Sequence, residues 1–597
     1  MAAERRARRE RQLRTVAPLV VVALVAGLFG VRLFDLQVVS AAAINREADG
    51  RRGVVASLWS SRGPILDREG TVLASSVDRF DITIAPVNIA DFTVPDPDGE
   101  GSITVTVDDA FRSIADIVGL SHIQMRAEID AVLEADPESN FAYLARLVTF
   151  EQYERIRALR IPWVYPQPHP MRSYPGGSVA GSIIGFTGAD GVPLAGLELQ
   201  YDECLAGVNG EEMYERSADG VAIPGSVVVV REPKEGAAVR TTIDSDLQWR
   251  MQQIAAEQNE AMGARFTMIT VVEVRTGHIL AAAEYPTVDP NTPARADEAD
   301  RGNRTFASPF EPGSTMKPIT AAALYDAGVV DPAETIVVPD SWDRDGAVFS
   351  DAVPHDDVEM NMNGVLAESS NVGLALFGER LGAEQRHDYF IDFGFSERTA
   401  VGFVGEEPGI VRPAADWDAQ TNYATMFGQG LTVTAAQLAG AYQALGNGGV
   451  RLPLTLVTGC EYDDGTVTHA PAGEGERVVS ERAAELAVEG LEATALEGWT
   501  ADQVAVPGYR VGMKTGTAQV VNPETGLYEA GSYYTTMAGV APIDDPQYVV
   551  LVTMANPVTI TGSGSTATAW QQAMSFVLAS NQVAPSPQPW PEITVEH

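Results

Sequence analysis

Residues 311–318 read EPGSTMKP, and an alanine-rich run follows them. Ser314 and Lys317 stand three positions apart, so a helix would place the hydroxyl and the amine on the same face. A serine needs a neighbouring base to act as a nucleophile, and a lysine that desolvation keeps neutral can be that base. Pro318 lacks an N–H and suits the first turn of a helix, where free backbone N–H groups can face an oxyanion. The stretch therefore predicts a nucleophilic serine at a helix start.

Two later stretches complement this pair. The first is Ser-Ser-Asn at residues 369–371, between two helical patterns, and the second is RVGMKTGTAQ at residues 510–519, which is typical of a strand. Gly516 in that strand allows the backbone of a ligand to approach closely. A Ser-x-x-Lys pair alone arises often by chance and would then mark an exposed lysine near a helix cap. The order and spacing of all three motifs instead predict one active site, whose expected catalytic residues are Ser314, Lys317, Ser369, Asn371 and Lys514.

The segments around these motifs predict the fold class. Two β-rich runs precede a long helical block and two follow it, and the block contains helical patterns such as 434–445 and 481–496. The β-rich runs cover residues 267–274, 278–283, 534–540 and 548–554. Strand pairs separated by helices are typical of an α+β fold in which helices flank an antiparallel sheet.

The N-terminal segment predicts a single membrane anchor. Residues 1–14 carry six arginines and two glutamates, and 17 residues without a formal charge follow at 15–31. As a helix this run spans roughly 26 Å, close to the apolar thickness of a bilayer. Arg32 can reach the interface, so we expect the anchor at 15–39, with the N-terminus cytoplasmic and the remaining chain outside. A cleaved signal peptide is the alternative, because residues 40–43 are small, although the charge at Arg32 interrupts that pattern.

Composition excludes several classes of function. The 597 residues hold 41 Lys and Arg against 81 Asp and Glu, and a net charge of −40 would repel a nucleic acid. Cys204 and Cys460 define no metal-binding pattern, so two buried thiols are expected, with a disulfide as the alternative. The histidine of residues 355–357 stands among acids and indicates solvated surface rather than a metal ligand. We expect no metal and no cofactor.

Turn residues divide the part of the chain outside the membrane. Residues 61–74 predict two short strands around a turn, residues 91–101 a loop or insertion, and residues 108–135 and 150–159 amphipathic helices. This region is therefore mixed α+β, and it ends at the turn signals of residues 233–236. The expected organisation is a basic cytoplasmic tail at 1–14, an anchor at 15–39, a pedestal at 40–235, a catalytic domain at 236–580 and a flexible tail at 581–597.

With these motifs the sequence resembles the penicillin-binding proteins and serine β-lactamases. Nearly the whole chain is similar to the class B, monofunctional penicillin-binding proteins, which are bitopic enzymes with a non-catalytic pedestal and a transpeptidase domain. The Ser-Ser-Asn form of the second motif and the chain length resemble most the division-specific type, and elongation-type relatives are close. The segments that carry the resemblance are Arg62-Gly63, Asp67-Arg68 with Gly70, Arg172 with Tyr174-Pro175, Gly196-Leu197-Glu198 with Tyr201, Thr242-Ile243-Asp244 with Leu247-Gln248, and Phe310-Glu311-Pro312-Gly313-Ser314.

The resemblance implies an acyl-serine mechanism. Ser314 would attack the carbonyl of the penultimate D-alanine of a stem pentapeptide, or that of a β-lactam, while Lys317 takes its proton. Ser369 would pass a proton to the departing amine, and Asn371 would hold Lys317 or the substrate amide. An amine from a neighbouring stem peptide would then resolve the acyl-enzyme and form a cross-link. The backbone N–H groups of Ser314 and Thr517 would form the oxyanion hole, and the expected substrate-binding residues are Thr515, Gly516 and Thr517, beside Lys514.

Other functions fit the same motifs. An elongation-type transpeptidase, a β-lactamase or a D,D-carboxypeptidase would share the nucleophile, although a released hydrolase needs neither anchor nor pedestal. A non-catalytic divisome scaffold would recruit its partners with a vestigial serine site. The expected partners are a membrane glycosyltransferase and other division proteins, because the family works beside them. Outside the site, Glu198 and Tyr201 are expected to be structural, and Arg172, Asp67 and Arg68 to form buried ion pairs.

Overall fold

The computed structural model describes residues 2–40, 53–96, 99, 101–139, 141–188, 190–215, 225–344, 346–521, 525 and 527–596. The chain forms two compact units, one of residues 1–60 with 207–235 and one of residues 61–206 with 236–597. All residues of the predicted active site lie in the second unit.

Both kinds of secondary structure occur throughout the chain, which confirms the α+β class. The strands are β1 (Gly53–Leu58), β2 (Ile65–Leu66), β3 (Val72–Val77), β4 (Arg79–Ile84), β5 (Phe92–Pro95), β6 (Ser102–Val105), β7 (Ala142–Thr149), β8 (Val164–Pro168), β9 (Met171–Ser173), β10 (Gly210–Glu215), β11 (Val228–Arg231), β12 (Ala238–Thr241), β13 (Phe266–Glu273), β14 (Ile279–Tyr285), β15 (Ile336–Val338), β16 (Ser341–Arg344), β17 (Ala347–Ser350), β18 (Val358–Met360), β19 (Val450–Arg451), β20 (Val457–Glu461), β21 (Val467–Thr468), β22 (Glu476–Arg477), β23 (Gly512–Val521), β24 (Tyr528–Ala541) and β25 (Tyr548–Ala555). The helices are α1 (Ala2–Phe34), α2 (Val107–Val118), α3 (His122–Ala135), α4 (Phe150–Ala158), α5 (Gly181–Ile184), α6 (Gly196–Gln200), α7 (Asp202–Leu205), α8 (Ser245–Met262), α9 (Arg304–Ala307), α10 (Lys317–Asp326), α11 (Met362–Ala367), α12 (Asn371–Gly378), α13 (Ala383–Asp392), α14 (Ala419–Ala424), α15 (Ala435–Gly446), α16 (Glu481–Glu497), α17 (Ala501–Val504) and α18 (Ala567–Ser580).

The first unit contains the predicted anchor. Helix α1 continues as a π-helical turn at Asp35–Val39, and Val16–Val39 is the one helical stretch in the described part of the chain that is long and apolar enough to cross a membrane, with a mean hydropathy of 2.3. Arg32 at its end pairs with Asp35 at 2.8 Å, which reduces the cost of placing both charges near an interface. The unit also holds an antiparallel sheet in the order β1-β10-β11. The alternative cleavage site at 41–43 lies outside the described residues.

The five-stranded sheet of the second unit is antiparallel in the order β14-β13-β25-β24-β23. Helices α8 and α18 cover one face with buried side chains such as Leu247 and Trp570, and the indole of Trp570 donates to the carbonyl of Val550 at 3.0 Å. Buried residues of α15 and α16 form a cluster with strand residues such as Val540 and Val549, so helices also cover the other face. The predicted strand pairs and the flanking helices are confirmed, and β23, which carries Lys514, is an edge strand.

A second sheet mixes segments from distant parts of the chain, in the order β21-β20-β12-β2-β3-β9. Its strand β12 lies between parallel β2 and antiparallel β20, and the Ala237 N–H beside it donates to the carbonyl of Cys204 at 2.8 Å. This brings Cys204 and Cys460 of β20 to a Cα separation of 6.1 Å, and they form a disulfide. The expectation of two free thiols is therefore wrong, because β12 connects chain segments that are 256 positions apart.

The region before β12 departs from expectation in two places. Residues 91–101, predicted as a loop, include β5, which pairs with β6, because alternating apolar residues such as Phe92 and Val94 suit a strand. The predicted helices appear as α2, α3 and α4. Asp67 is buried but is held by the Ser245 hydroxyl and by backbone N–H groups, and Arg68 lies 3.7 Å from exposed Glu69, so neither forms the expected buried ion pair.

The buried ion pair expected for Arg172 is present, and its partner is Glu198. Its fully buried carboxylate accepts from Arg62 and from Arg172, each at 2.6 Å. This supports the structural role expected for Glu198 and Arg172. After Ser580 the chain is irregular but attached rather than loose, because the Ser586 hydroxyl accepts from the Arg510 N–H at 3.0 Å and the Thr594 carbonyl accepts from two asparagine side chains at 3.2 Å.

Candidate active site

The nucleophile candidate lies on a short turn. Residues Gly313–Met316 form a 3-10 helix, here called the serine turn, which leads directly into α10 with Pro318 in the first helical turn. This is the helix start that the sequence predicted. Ser314 is partly exposed, whereas Lys317, one turn later, is completely buried. The hydroxyl is thus open to a ligand while the amine is removed from water.

The amine of Lys317 contacts the second motif. Its Nζ donates to the carbonyl oxygen of Ser369 and lies 3.3 Å from the Ser369 hydroxyl. Burial, and then the charge of Lys514, lower the pKa of Lys317 well below its usual value, against the opposing effect of Asp351. A neutral amine at this place can accept a proton, which is the property that a general base requires.

The second lysine comes from β23. Lys514 is completely buried, and its Nζ lies 3.3 Å from both the carbonyl and the hydroxyl oxygen of Thr515. Burial lowers the pKa of Lys514 to about 7. Because the Coulomb repulsion between the two amines lowers the pKa of Lys317, the pair shares one electrostatic site although 197 positions separate them in the sequence.

The outer side of β23 packs against the serine turn. A Cβ added to Gly516 would lie 2.7 Å from the carbonyl oxygen of Pro312, and one added to Gly313 would lie 2.8 Å from the carbonyl oxygen of Thr517 and 3.2 Å from its nitrogen. Only glycine permits this approach, and Gly313 also has a φ of 58°, in the left-handed region. The contact brings the backbone of Thr517 beside Ser314, which is the arrangement an oxyanion hole between these two residues needs. The Thr517 side chain itself is exposed.

The second motif occupies the connection between α11 and α12. Ser369 has a φ of 59°, a conformation that costs free energy in a residue with a side chain and that often marks functional sites. Ser370 caps α12 by accepting from the Gly373 N–H at 2.7 Å. Asn371 is the first residue of α12, and its side-chain amide donates to the Ser350 carbonyl at 3.3 Å. The structure thus records Ser369, rather than Asn371, as the partner of Lys317.

Asp351 is a site residue that sequence reasoning missed. Its carboxylate accepts from the backbone N–H groups of Asn371 at 2.6 Å and Val372 at 3.0 Å, and from the Ser370 hydroxyl at 2.5 Å. A carboxylate suits this position because the first N–H groups of a helix have no partner within the helix. The sequence holds no signal for it, since Asp351 stands 18 positions before Ser369 in a polar loop.

Glu311 is a second missed residue, although it stands within the first motif. Its buried carboxylate accepts from the Gly430 N–H at 2.9 Å and from the Tyr528 hydroxyl at 3.1 Å, and burial raises its pKa. A Cβ on Gly428 would lie 2.2 Å from the Gly313 carbonyl, so this loop also touches the serine turn. Glu311 therefore ties three distant segments together beside the nucleophile candidate.

Several cysteine and histidine side chains, which are common metal ligands, have other partners in this structure. Among the described residues, Cys204, Cys460 and His469 place ligand atoms within 4.8 Å of one another, but both sulfurs are used in the disulfide and offer no thiolate. His355, expected as solvated surface, instead lies with its Nε2 3.1 Å from the Asp351 carboxylate.

The fold brings the three predicted motifs together. Buried Lys317 and Lys514 interact with each other, partly exposed Ser369 contacts Lys317, Gly516 and Thr517 pack on the serine turn, and Ser314 is partly exposed. Chemically, a partly exposed hydroxyl near a neutral amine can add to a carbonyl, and a second amine that is charged below about pH 7 can attract a carboxylate. The roles of the individual residues remain predictions at this point.

Comparison with known proteins agrees with this arrangement. The family model of the penicillin-binding protein transpeptidase domain matches residues 267–575, and that of the penicillin-binding protein dimerisation domain matches residues 58–241. Among solved structures, a peptidoglycan synthetase of Bifidobacterium adolescentis is 26% identical with a TM-score of 0.72, over 92% of this chain and 100% of that one. Penicillin-binding protein 3 of Mycobacterium tuberculosis in complex with aztreonam is 27% identical with a TM-score of 0.68, over 91% and 100%.

Relatives at the sequence level cover almost the full length. Penicillin-binding protein PbpB of Mycolicibacterium smegmatis is 34% identical over 95% of this chain and 90% of its own length. Peptidoglycan D,D-transpeptidase FtsI of Escherichia coli is 31% identical over 88% of this chain and 84% of its own length. With both domain families matched and the motifs assembled in the fold, the chain belongs to the class B penicillin-binding proteins.

Proposed function

We propose that this chain is the peptidoglycan D,D-transpeptidase of septal cell-wall synthesis and that it acts through an acyl-enzyme on Ser314. The observation that carries the assignment of the site is the meeting of two completely buried lysines beside an accessible serine. Burial of two like charges is costly, and a protein retains it where a neutral amine is needed for chemistry.

In the acylation step, the Ser314 oxygen attacks the carbonyl carbon of the penultimate D-alanine, and its proton passes to neutral Lys317. The oxyanion that forms accepts from the backbone N–H groups of Ser314 and Thr517. The C–N bond to the terminal D-alanine then breaks, and the departing amine takes a proton from Lys317 through the Ser369 hydroxyl, which lies 3.3 Å from Nζ. This leaves an ester on Ser314 and a free D-alanine.

In the second step, the amine of a neighbouring stem peptide attacks the ester carbonyl and gives up a proton to Lys317. The C–O bond to Ser314 breaks, the Ser314 oxygen takes that proton back, and the new amide is the cross-link. Charged Lys514, with Thr515 and Thr517, holds the carboxylate of the donor peptide, and Asn371 holds a substrate amide from the first turn of α12. β-Lactams acylate the same serine because they present a similar amide beside a carboxylate. The complexes of the mycobacterial relative with aztreonam and ampicillin support this ligand class.

The organisation of the chain follows from the same proposal. The helix at 15–39 anchors the protein, the arginine-rich tail at 1–14 stays in the cytoplasm, and the pedestal at 40–235 carries the transpeptidase domain at 236–580 outside the membrane. A membrane glycosyltransferase and other division proteins are the proposed partners, because strands of cross-linked glycan must be polymerised at the same place. Protease added to intact spheroplasts should then degrade the large domain and spare the N-terminal tail.

A labelled penicillin tests the proposed nucleophile. The purified full-length protein should form a long-lived 1:1 covalent adduct whose labelled peptide contains Ser314, and Ser314→Ala should form none. Rapid turnover of the drug would instead indicate a β-lactamase. With a stem pentapeptide as substrate, release of D-alanine without cross-linked product would indicate a carboxypeptidase.

Complementation tests the division role. Ser314→Ala should fail to rescue a depletion strain, and a fluorescent fusion of the intact protein should collect at the septum. Full rescue by Ser314→Ala would favour the scaffold function, and a fusion spread along the side wall would favour the elongation type.

A further inference from the structure

The loop between β17 and β18, residues 351–357, holds a histidine that the proposed mechanism does not use. His355 directs Nε2 at the Asp351 carboxylate, 3.1 Å away, and Nδ1 at the carbonyl oxygen of Asp356, 2.7 Å away. Asp351 is the residue whose carboxylate caps α12. The histidine is therefore one contact away from the second motif of the active site.

The protonation state of His355 decides whether both contacts can be hydrogen bonds. A carbonyl oxygen and a carboxylate oxygen can only accept, so each ring nitrogen must carry a hydrogen. A neutral imidazole has one N–H and satisfies one of the two partners, whereas the cation has two and satisfies both. The geometry thus selects the protonated ring.

We propose that protonated His355 is a positioning residue for acyl transfer, which holds Asp351 on the first turn of α12 and so places Asn371 and the Ser369 partner of Lys317. The inference rests on the proposed function of Ser314. When the ring loses its proton, one of its two contacts becomes a pair of facing lone pairs, and the loop loses one of its attachments. Acylation should therefore be favoured below the pKa of His355 and weakened above it.

The charges around the ring support the same direction. The Asp356 carbonyl, followed by Asp351 and Asp340, raises the pKa of His355, while partial burial opposes them. Asp340 precedes β16, and its carbonyl accepts from the Asp351 N–H at 2.9 Å, so the two acids are held next to each other. Asp351 also interacts with Lys317, whose pKa it acts to raise. These groups together favour the protonated ring of His355.

The test compares acylation rates of His355 variants across pH. Full-length protein in detergent is treated with a fluorescent penicillin from about pH 5.5 to about pH 9, and the rate constant of each variant is divided by that of the unchanged protein, which cancels the titration of the two lysines. His355→Ala should acylate about tenfold more slowly near pH 6 and approach the unchanged protein near pH 9. His355→Gln keeps a donor toward Asp351 without a titrating ring, so it should recover much of the rate at low pH.

Three controls keep the result interpretable. His387→Gln removes another histidine that lies beside a carboxylate, 3.6 Å from Asp388, and should leave the rate unchanged at every pH. Ser314→Ala must abolish labelling, since residual labelling would contradict the proposed function and not this inference alone. A ratio for His355→Ala that is constant with pH, or a rate for His355→Gln equal to that of His355→Ala at low pH, would overturn the role of His355. If His355→Ala lowers the melting temperature, His355→Gln alone decides, because its ratio must still change with pH.

Discussion

At the scale of single residues, the two buried lysines must differ in charge for the site to work. Burial and the charge of Lys514 lower the pKa of Lys317 well below its usual value, whereas burial lowers the pKa of Lys514 to about 7. As the pH drops, Lys514 takes up a proton first, and its charge then keeps Lys317 neutral. This order matches the roles of carboxylate holder and base.

The first prediction concerns Lys514→Arg. Below about pH 7 the amine of Lys514 is charged and attracts the carboxylate of a penicillin, and above that pH the free enzyme loses this attraction, so acylation should decline as the pH rises. A guanidinium stays charged, so Lys514→Arg should be slower overall but should move the alkaline limb upward by more than about one pH unit. The acylation rate constant is measured against pH for the protein with Lys514 and for Lys514→Arg. Both proteins also carry His355→Gln, so that His355 does not contribute to the alkaline limb. An unmoved limb would show that Lys514 is not the titrating group.

The second prediction concerns Asp351→Asn. Removing the charge weakens the cap on α12 and takes away an interaction that raises the pKa of Lys317, so the acid limb of the acylation profile should move to lower pH. The rate at the optimum should fall about tenfold, because the second motif is less well placed. The matched control is Asp418→Asn, which removes an exposed cap that accepts from the Thr421 N–H at 2.7 Å, and it should leave the profile unchanged. Equal effects of the two substitutions would mean that Asp351 acts only as a helix cap and has no specific role in acylation.

At the scale of elements, the site depends on how closely β23 approaches the serine turn. Two glycines, Gly313 and Gly516, face carbonyl oxygens across this contact at distances that no Cβ tolerates. On its other side β23 is hydrogen-bonded to β24, so a larger side chain at either glycine would have to displace the serine turn. The position of Ser314 relative to Thr517 is therefore set by packing of the backbone itself.

The third prediction concerns Gly516→Ala. The added Cβ would lie 2.7 Å from the Pro312 carbonyl and 3.1 Å from a methyl group of Thr315, so the strand and the turn must separate. Loss of alignment in an oxyanion hole costs about 100-fold or more in rate, and acylation should fall accordingly while the protein stays folded. Gly302→Ala, where nothing lies within 4 Å of the added atom, is the control. An acylation rate within about twofold of the unchanged protein would contradict this arrangement.

At the scale of the whole molecule, the disulfide joins parts of the chain that the six-stranded sheet has already brought together. Cys204 and Cys460 are both buried, and 256 positions separate them. Closing so long a loop removes many conformations from the unfolded chain, which stabilises the folded state. A disulfide also suits a domain outside the cytoplasm, in agreement with the proposed topology.

The fourth prediction concerns this bond. The double variant Cys204→Ala with Cys460→Ala should lose about 2–4 kcal/mol in the free energy of unfolding. A reducing agent should lower the melting temperature of the unchanged protein and leave that of the double variant unaffected, as calorimetry can show. Equal melting temperatures of the two proteins without reductant would mean that the bond adds nothing to stability.

Much of the site was accessible from the sequence because each motif is local. The spacing of Ser314 and Lys317, the strand pattern around Lys514 and the apolar run at 15–39 are each encoded within a few consecutive turns or a single helix, where periodicity directly reflects geometry. The same holds for the four strands of the main sheet. The resemblance to a known family then supplied the expected role of each site residue in the reaction.

Contacts between residues far apart in the chain could not be predicted from the sequence. The roles of Asp351 and Glu311 do not follow from their place in the sequence, since each carboxylate gains its role from the N–H groups that packing places beside it, at Asn371 and at Gly430. The pairing of Cys204 with Cys460 likewise follows from strand order, which a sequence does not display. Local periodicity is set by neighbouring residues, whereas long-range partners are chosen by the burial of whole elements, and this physical difference separates what the sequence determined from what the fold added.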